Sequence, residues 1–231
     1  NSKKIMNWTM LITFSLTLVG CSSVNYLRNY KFRDHTVAAD MLVPPRPQVF
    51  TDSFVGIDTS DPIGTALRVG TTIVKEIEAA EAQKRMDRAL EKVNVPQRIK
   101  ERMLQRCAKV LKSRPTDDTE HAEFLLDMEI RNYGIDAKSW TAGTDFKIDV
   151  LVQILDNQTS ALVWRRRIKE RQPISREIFG LGHAADNVIS AVALSSLSED
   201  EIATGFRHLA DYTADRIAAK LQKDLVKARR R

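Results

Sequence analysis

Cys21 is the residue whose chemistry the sequence defines most clearly. It follows Leu18–Gly20, which closes an apolar run that begins at Met10, and Lys3 and Lys4 precede that run. A basic start, a short apolar core and small residues before a cleavage point are the parts of an export signal. A thiol at this position can be alkylated to a thioether that carries diacylglycerol. Several acyl chains hold a protein firmly at a bilayer, at about 0.8 kcal/mol per buried methylene.

The spacing of Leu18 and Cys21 resembles the lipobox of bacterial lipoprotein precursors. The resemblance implies a signal peptide over 1–20 and acyl chains such as palmitate on Cys21, which anchor the protein in the bacterial cell envelope. Ser22, rather than an acidic residue, follows the cysteine, which favours the outer membrane, facing the periplasm. A transmembrane helix needs about 20 apolar residues, and this run is roughly half as long. A plain secretory signal with a chance cysteine is the alternative.

Composition limits the partners of the mature chain. Removing residues 1–20 leaves 211 residues, enough for one large domain, and lowers the formal charge from +6 to +4. Nucleic acid is a poor partner for an exported protein. We therefore expect basic surfaces to meet anionic lipid head groups or acidic regions of an envelope protein complex.

The domain organisation follows from proline content and hydrophobic periodicity. Residues 21–60 are predicted to form a lipidated N terminus and tether, because Val43–Pro47 contains three prolines that favour extended backbone. A short strand over 48–57 is the one element expected in this segment. Residues 61–231 are predicted to form the folded domain.

Three helices and a further helical run are expected in that domain. Apolar residues spaced three and four apart predict helices over 62–93 and 94–113, and an apolar run predicts another over 187–197. Ser198 and Glu201 form a capping box that starts a closing amphipathic helix.

The period changes to two from residue 124 onward, which indicates strands over 124–131, 146–154 and 161–171. The polar segment 156–160 joins the last two strands as a hairpin turn. The predicted fold class is α+β, with a three- or four-stranded antiparallel sheet and amphipathic helices packed on one face.

Basic side chains on the third strand form the most distinctive predicted surface, here called the basic row. The basic row is Arg165, Arg167, Lys169 and Arg171. One interpretation is a site for a protein partner or anionic lipid. The other is that the row pairs with carboxylates of neighbouring strands. Those carboxylates are Glu123, Asp127, Glu129 and Asp149. Arg166 falls on the apolar phase of the strand, where it indicates a bulge, a sheet edge or a partner site.

The sequence offers little else that performs chemistry. Cys107 is the second of two cysteines and shares a helix face with Ile99 and Met103, so we expect a small buried core residue and no intramolecular disulfide. The histidines lie far apart in the sequence. They are His35, His121, His183 and His208. No metal site, no cofactor and no enzymatic activity are therefore predicted.

The turn that joins the last two strands carries a resemblance to known families. Leu155, Asp156 and Thr159 precede Leu162–Trp164 in the pattern Leu-Asp-x-x-Thr-x-x-Leu-Val-Trp. With the lipobox and the closing helix, residues 90–220 resemble ABC-type transport auxiliary lipoproteins and the small α/β lipoproteins that assist outer-membrane assembly. The resemblance implies an accessory protein and supplies no active-site residues.

These observations predict a membrane-anchored, non-enzymatic accessory or scaffold of an envelope transport or assembly machine. A carrier that binds lipid or a small molecule is the alternative, and an envelope hydrolase is the third possibility.

Overall fold

A computed structural model describes the sheet, the helices packed against it and most of their connections. The described residues are 23–42, 84–85, 87–137, 143–177, 188–190, 193–194 and 196–230. The predicted signal peptide, Cys21 and the predicted strand over 48–57 lie outside them. So does most of the helix predicted over 62–93, of which the described residues 84–85 and 87–91 are helical.

The described residues form an α+β fold, as predicted. The strands are β1 (Val24–Asn25), β2 (Thr36–Leu42), β3 (Arg114–Pro115), β4 (Phe124–Ala137), β5 (Thr144–Asp156) and β6 (Leu162–Pro173). The helices are α1 (Val95–Leu111) and α2 (Glu199–Arg229), and a 3-10 turn covers Leu27–Asn29. Both helices, β5 and β6 lie close to their predicted positions, and β4 starts where predicted but extends six residues beyond the predicted end at 131.

The sheet is larger than predicted and is mixed rather than antiparallel. Its six strands have the order β1-β6-β5-β4-β2-β3. The antiparallel meander of β4, β5 and β6 is the predicted part, and β1 adds antiparallel to β6. In contrast, β2 runs parallel to both β3 and β4. Parallel strands need a crossover connection, and α1 lies in the chain between β2 and β4.

Residues 24–42 belong to the sheet and its core, although the sequence predicts them as part of a tether over 21–60. Leu27, Phe32 and Val37 are buried, and β2 carries consecutive buried residues at Val37–Ala39. A parallel strand covered on both faces shows no alternation, so its pattern of hydrophobicity is hard to recognise in the sequence.

The alternation of β4 and β5 separates a buried sheet face from a charged one. Side chains of β5 alternate between buried and half-buried from Thr144 to Leu155. The predicted hairpin turn is present, because Oδ1 of Asp156 accepts hydrogen bonds from the backbone N–H groups of Gln158 and Thr159. Ser160 completes the turn with φ of 56°.

Both helices begin with a capping side chain, and the sequence predicts the cap of the second. Asn94 starts α1 by accepting a hydrogen bond from the backbone of Gln97 at 3.1 Å. Ser198 and Glu201 form the predicted capping box at the start of α2. The buried face of α1 packs against α2, and an ion pair of 2.8 Å between Arg98 and Asp211 joins their exposed sides.

The prediction of a helix over 187–197 is wrong for residues 188–190. Val188 forms a β-bridge with Ser175, and Ser190 forms one with Gly143. Between them, the backbone of Ile189 donates a hydrogen bond to the carbonyl of Ile174 and accepts one from the N–H of Thr144. A Cβ atom at Gly143 would lie 2.5 Å from Cγ1 of Val188, so the close approach requires glycine. Residues 188–190 are therefore bridged to neighbouring backbone where the apolar run favours a helix, whereas the described residues 193–194 are helical. An apolar run alone does not distinguish a strand from a helix.

Candidate functional site

The basic row lies along the sheet face that points away from α2, and carboxylates of β5 neutralise much of it. Arg167 donates two hydrogen bonds to Asp149, at 2.8 and 2.6 Å, and Lys169 lies 3.8 Å from the same carboxylate. Arg171 donates to Asp145 at 2.7 Å. The hydrogen bonds from Arg167 lower the pKa of Asp149 despite its partial burial. Of the four predicted carboxylates, the structure therefore supports cross-strand pairing for Asp149, and it adds Asp145.

The remaining predicted carboxylates have other partners. Glu123 accepts hydrogen bonds from the backbone and hydroxyl of Thr36, and lies 2.6 Å from His35. Asp127 accepts from a glutamine of β5, and Glu129 pairs with an arginine of its own strand. Arg165 forms no ion pair with the residues that the structure describes. The free charge of the basic row is therefore smaller than its sequence suggests.

Arg166 lies on the opposite face of β6 and points toward α2, which explains its position on the apolar phase. Its Nη2 donates to Oδ1 of Asp224 at 2.9 Å, and Nε1 of Trp164 donates to Oδ2 at 3.0 Å. Asp224 is 6% exposed. The contact is a largely buried ion pair in which an indole N–H satisfies a further lone pair. Neither a bulge nor a partner is needed to place Arg166.

The same contact holds the N-terminal segment against the domain. Nδ2 of Asn25 donates to the backbone carbonyl of Asp224 at 3.0 Å, and the backbone N–H of Tyr26 donates to Val163 at 2.8 Å. β1 pairs with Arg165 and Trp164, and Leu27 is buried. Sequence analysis missed this arrangement. The sequence does contain a signal for it. One charged residue of β6 occupies a position that the alternation assigns to the apolar face, and a second, Asp224, lies on the apolar stripe of α2.

Two adjoining grooves lie where the N-terminal segment meets the last turns of α2. The first has a volume of about 510 Å³ and is lined by residues that include Ser23, Tyr26, Arg28, Arg166 and Lys227. The second, of about 680 Å³, runs along the outward side of α2. Its lining is Ala219, Gln222, Lys223, Val226, Lys227 and Arg230. Lys227 lines both grooves, so they form one continuous surface that is open to solvent.

The structure places Cys107 in the core, as predicted. The residue is fully buried, and burial raises the pKa of its thiol to about 12. Such a thiol is neutral at physiological pH and is a poor nucleophile.

The described residues contain no group of three or more His, Cys, Asp or Glu side chains that could hold a metal ion. His121 pairs with Asp118 on the surface, and His35 pairs with Glu123. None of the helices in the described ranges has both the length and the apolar composition needed to cross a membrane.

No family model matches the sequence, and no curated protein matches it. Among solved structures, the chain is similar to protein XCC0632 of the DUF330 family from Xanthomonas campestris. The identity is 11%, the match covers 83% of this chain and 85% of that chain, and the TM-score is 0.38.

Two further solved structures are similar to the chain at comparable identity and TM-score. The PelC dodecamer from Paraburkholderia phytofirmans is 10% identical over 81% of this chain and 93% of that chain, with a TM-score of 0.31. Hypothetical protein CT253 from Chlamydia trachomatis is 12% identical over 83% of this chain and 98% of that chain, with a TM-score of 0.32. Similarity at this level carries no argument about function.

Proposed function

We propose that this protein is a lipid-anchored, non-enzymatic accessory of the bacterial cell envelope, held at the membrane by acyl chains on Cys21. The observation that carries the proposal is the sequence Leu18–Cys21 at the end of a short apolar run with a basic start. The folded domain begins close behind it, since β1 starts at Val24.

Several described carboxylates support an accessory role, because they are engaged in contacts that hold the fold together. The carboxylates of β5 bind the basic row, and Asp224 binds Arg166. Glu123 fixes the start of β2, and the thiol of Cys107 is sealed in the core. A protein with these features acts through its surface and its position at the membrane.

Labelling of growing cells with an alkyne analogue of palmitate tests the anchor directly. The wild-type chain and a Cys107→Ala control should both carry the label, and Cys21→Ala should carry none. Separation of the two membranes on a density gradient should place the labelled protein with the outer membrane. Label that persists in Cys21→Ala contradicts the proposed anchor.

The accessory role has a separate test. After membranes are dissolved in mild detergent, the protein should migrate in an assembly much larger than one mature chain, which is smaller than the 26.2 kDa of all 231 residues. Migration as a single chain contradicts an accessory or scaffold role and leaves the anchor standing.

A further inference from the structure

Exposed hydrophobic side chains occur beside the two grooves. The large hydrophobic residues exposed in the described chain are Tyr26, Leu42, Val188 and Val226. Of these, Tyr26 is 55% exposed and lines the first groove, and Val226 is 44% exposed and lines the second. Tyr26 and Val226 therefore place one apolar side chain in each groove, beside the basic residues that line it.

Basic side chains surround these two residues. Lys227 lies near the carboxylate of Asp224 and helps to lower its pKa, but that carboxylate is already bound to Arg166. Arg28, Lys223, Lys227 and Arg230 line the grooves, and none of them forms an ion pair with a carboxylate that the structure describes. The acidic residue among them in sequence, Asp224, is bound to Arg166. This surface therefore carries more positive charge without an ion-pair partner than the basic row, where carboxylates of β5 pair with most of the side chains.

The geometry of α2 explains why the side chains share one surface. Positions three and four apart on a helix lie on the same side, so Lys223, Val226, Lys227 and Arg230 form a single stripe. The 3-10 turn that carries Arg28 packs against the same helix.

We infer that this surface rests on the anionic phospholipid head groups of the membrane that holds the Cys21 acyl chains. We call it the docking face, and it consists of Tyr26, Arg28, Lys223, Val226, Lys227 and Arg230. The inference rests on the anchor proposed above and adds the orientation of the domain. Ser23 lines the first groove and follows Cys21 by two residues, and two extended residues span at most about 7 Å.

The chemistry of the docking face fits a bilayer surface. Each Lys or Arg near an anionic surface strengthens membrane binding about fivefold. Tyrosine is favoured at the level of the head groups because its ring is apolar and its hydroxyl is polar. The basic row offers no aromatic residue, and carboxylates of β5 compensate part of its charge.

Vesicle binding by the unacylated mature chain tests the inference without the help of the acyl chains. The chain from residue 21 onward, with Cys21→Ser, keeps the whole described core, which runs from Leu27 to Ala228. It should bind vesicles of equimolar phosphatidylglycerol and phosphatidylcholine far better than vesicles of phosphatidylcholine alone. Reversal of Lys223, Lys227 and Arg230 to Glu should weaken binding to the anionic vesicles by about 100-fold or more.

A matched control changes the net charge equally at other surfaces. Lys84, Lys100 and Arg207 form no ion pair with a described carboxylate and lie outside the docking face. Their reversal to Glu should leave binding within about threefold, because charges beyond the screening length contribute little. If the docking-face variant fails to fold, the same three residues changed to Gln remove the charges while keeping good helix formers.

Thiol protection locates the contact on the molecule. In the Cys21→Ser background the remaining cysteine, Cys107, is buried. Anionic vesicles should slow the labelling of Val226→Cys by a membrane-impermeant maleimide. They should leave the rate of labelling of Leu42→Cys unchanged. Leu42 is a suitable control because its side chain is 68% exposed, against 44% for Val226. It lies on β2, and its neighbour on the adjacent strand is Glu129 of the charged sheet face.

The outcomes separate the inference from the proposed anchor. Equal loss of binding in both charge variants, or equal protection of both cysteines, overturns the docking face. So does a docking-face variant that changes only the oligomeric state, because the surface is then a contact between copies of the chain. Palmitate labelling without charge-dependent vesicle binding overturns the docking face alone. Charge-dependent binding without palmitate labelling overturns the anchor and supports the face.

Discussion

Replacement of Asp224 by asparagine tests how much the contact between α2 and β6 stabilises the domain. The substitution keeps the size of the side chain and an oxygen that can accept the hydrogen bond from Trp164. It removes the negative charge that Arg166 binds through two nitrogens. Arg166 is then left beneath the N-terminal segment without its partner.

The expected loss follows from the burial of the two side chains. Loss of one partner from a fully buried pair costs about 3–5 kcal/mol, whereas an exposed pair is worth about 0–1 kcal/mol. Asp224 is nearly buried, but the side chain of Arg166 is 29% exposed, so water can solvate the freed guanidinium. We therefore expect Asp224→Asn to lower the free energy of unfolding by about 2 kcal/mol at pH 7. Asp149→Asn, which weakens a pair whose side chains are both more exposed, should cost less than about 1 kcal/mol.

The pH dependence supplies a second readout of the same contact. Burial raises the pKa of Asp224, but hydrogen bonds from Arg166 and Trp164 and the charge of Arg166 outweigh it, and the pKa lies below its ordinary value of 3.8. The folded protein therefore binds this proton more weakly than the unfolded chain does. The stabilisation is complete above about pH 5 and is lost as the pH falls through the folded pKa.

Urea unfolding of the wild type and Asp224→Asn between pH 7 and pH 3 measures both effects. The difference in free energy of unfolding should be constant near neutrality and should shrink toward zero in acid. A difference below about 0.5 kcal/mol at pH 7, within the range of ordinary surface substitutions, would refute the assignment of a stabilising ion pair. A difference of full size that persists at pH 3 would show that the effect does not come from the charge of Asp224.

Three further predictions concern the helices and the core. Ser198→Ala removes the capping box of α2 and should lower the free energy of unfolding by about 1 kcal/mol in urea titrations; no change would show that the cap is dispensable. Met103→Ala should cost about 2–5 kcal/mol because a fully buried side chain leaves a cavity, and a loss under 1 kcal/mol would contradict its packing. Cys107 should react with a maleimide only as fast as the protein unfolds, because its thiol is buried and neutral; rapid labelling of the folded protein would contradict this.

The sequence predicts the elements whose side chains alternate or repeat regularly. The meander β4–β6 is visible because one sheet face is buried and the other is charged, so apolar and polar residues alternate. The helices α1 and α2 are visible because each has an apolar stripe and a polar cap. In these elements the local pattern and the tertiary burial agree, which is why short-range reasoning succeeds.

Elements defined by long-range pairing are not visible in the same way. β1 is two residues long, and its pairing with β6 joins residues far apart in the chain. β2 has consecutive buried residues and pairs in parallel with β4, so its sequence lacks the alternation that identifies a strand. The N-terminal half of the predicted tether therefore folds into the domain because of contacts that no local pattern encodes.

Arg166 and Asp224 show how a local exception could have predicted a contact. Arg166 lies between the buried residues Trp164 and Ile168 on its strand. Asp224 lies three residues after the buried Leu221 and four before the buried Ala228. A charge is rarely buried without a partner of opposite sign. Two such exceptions of opposite charge, one on the last long strand and one on the closing helix, therefore indicate that the strand and the helix pack together at those residues.

The location of this ion pair connects the stability of the domain to its orientation. The backbone of Asp224 holds Asn25, and the side chain of Arg166 forms part of the groove that begins at Ser23. The residues that fix the N-terminal segment therefore lie directly beneath the surface that carries Tyr26 and Lys227. If Cys21 is acylated as proposed, the short stretch of chain between Cys21 and Ser23 places the docking face nearest to the bilayer. A loss of the ion pair should then loosen the segment next to the anchor before it affects the α1–α2 interface, because the contacts that hold that segment are few and those between the helices are many.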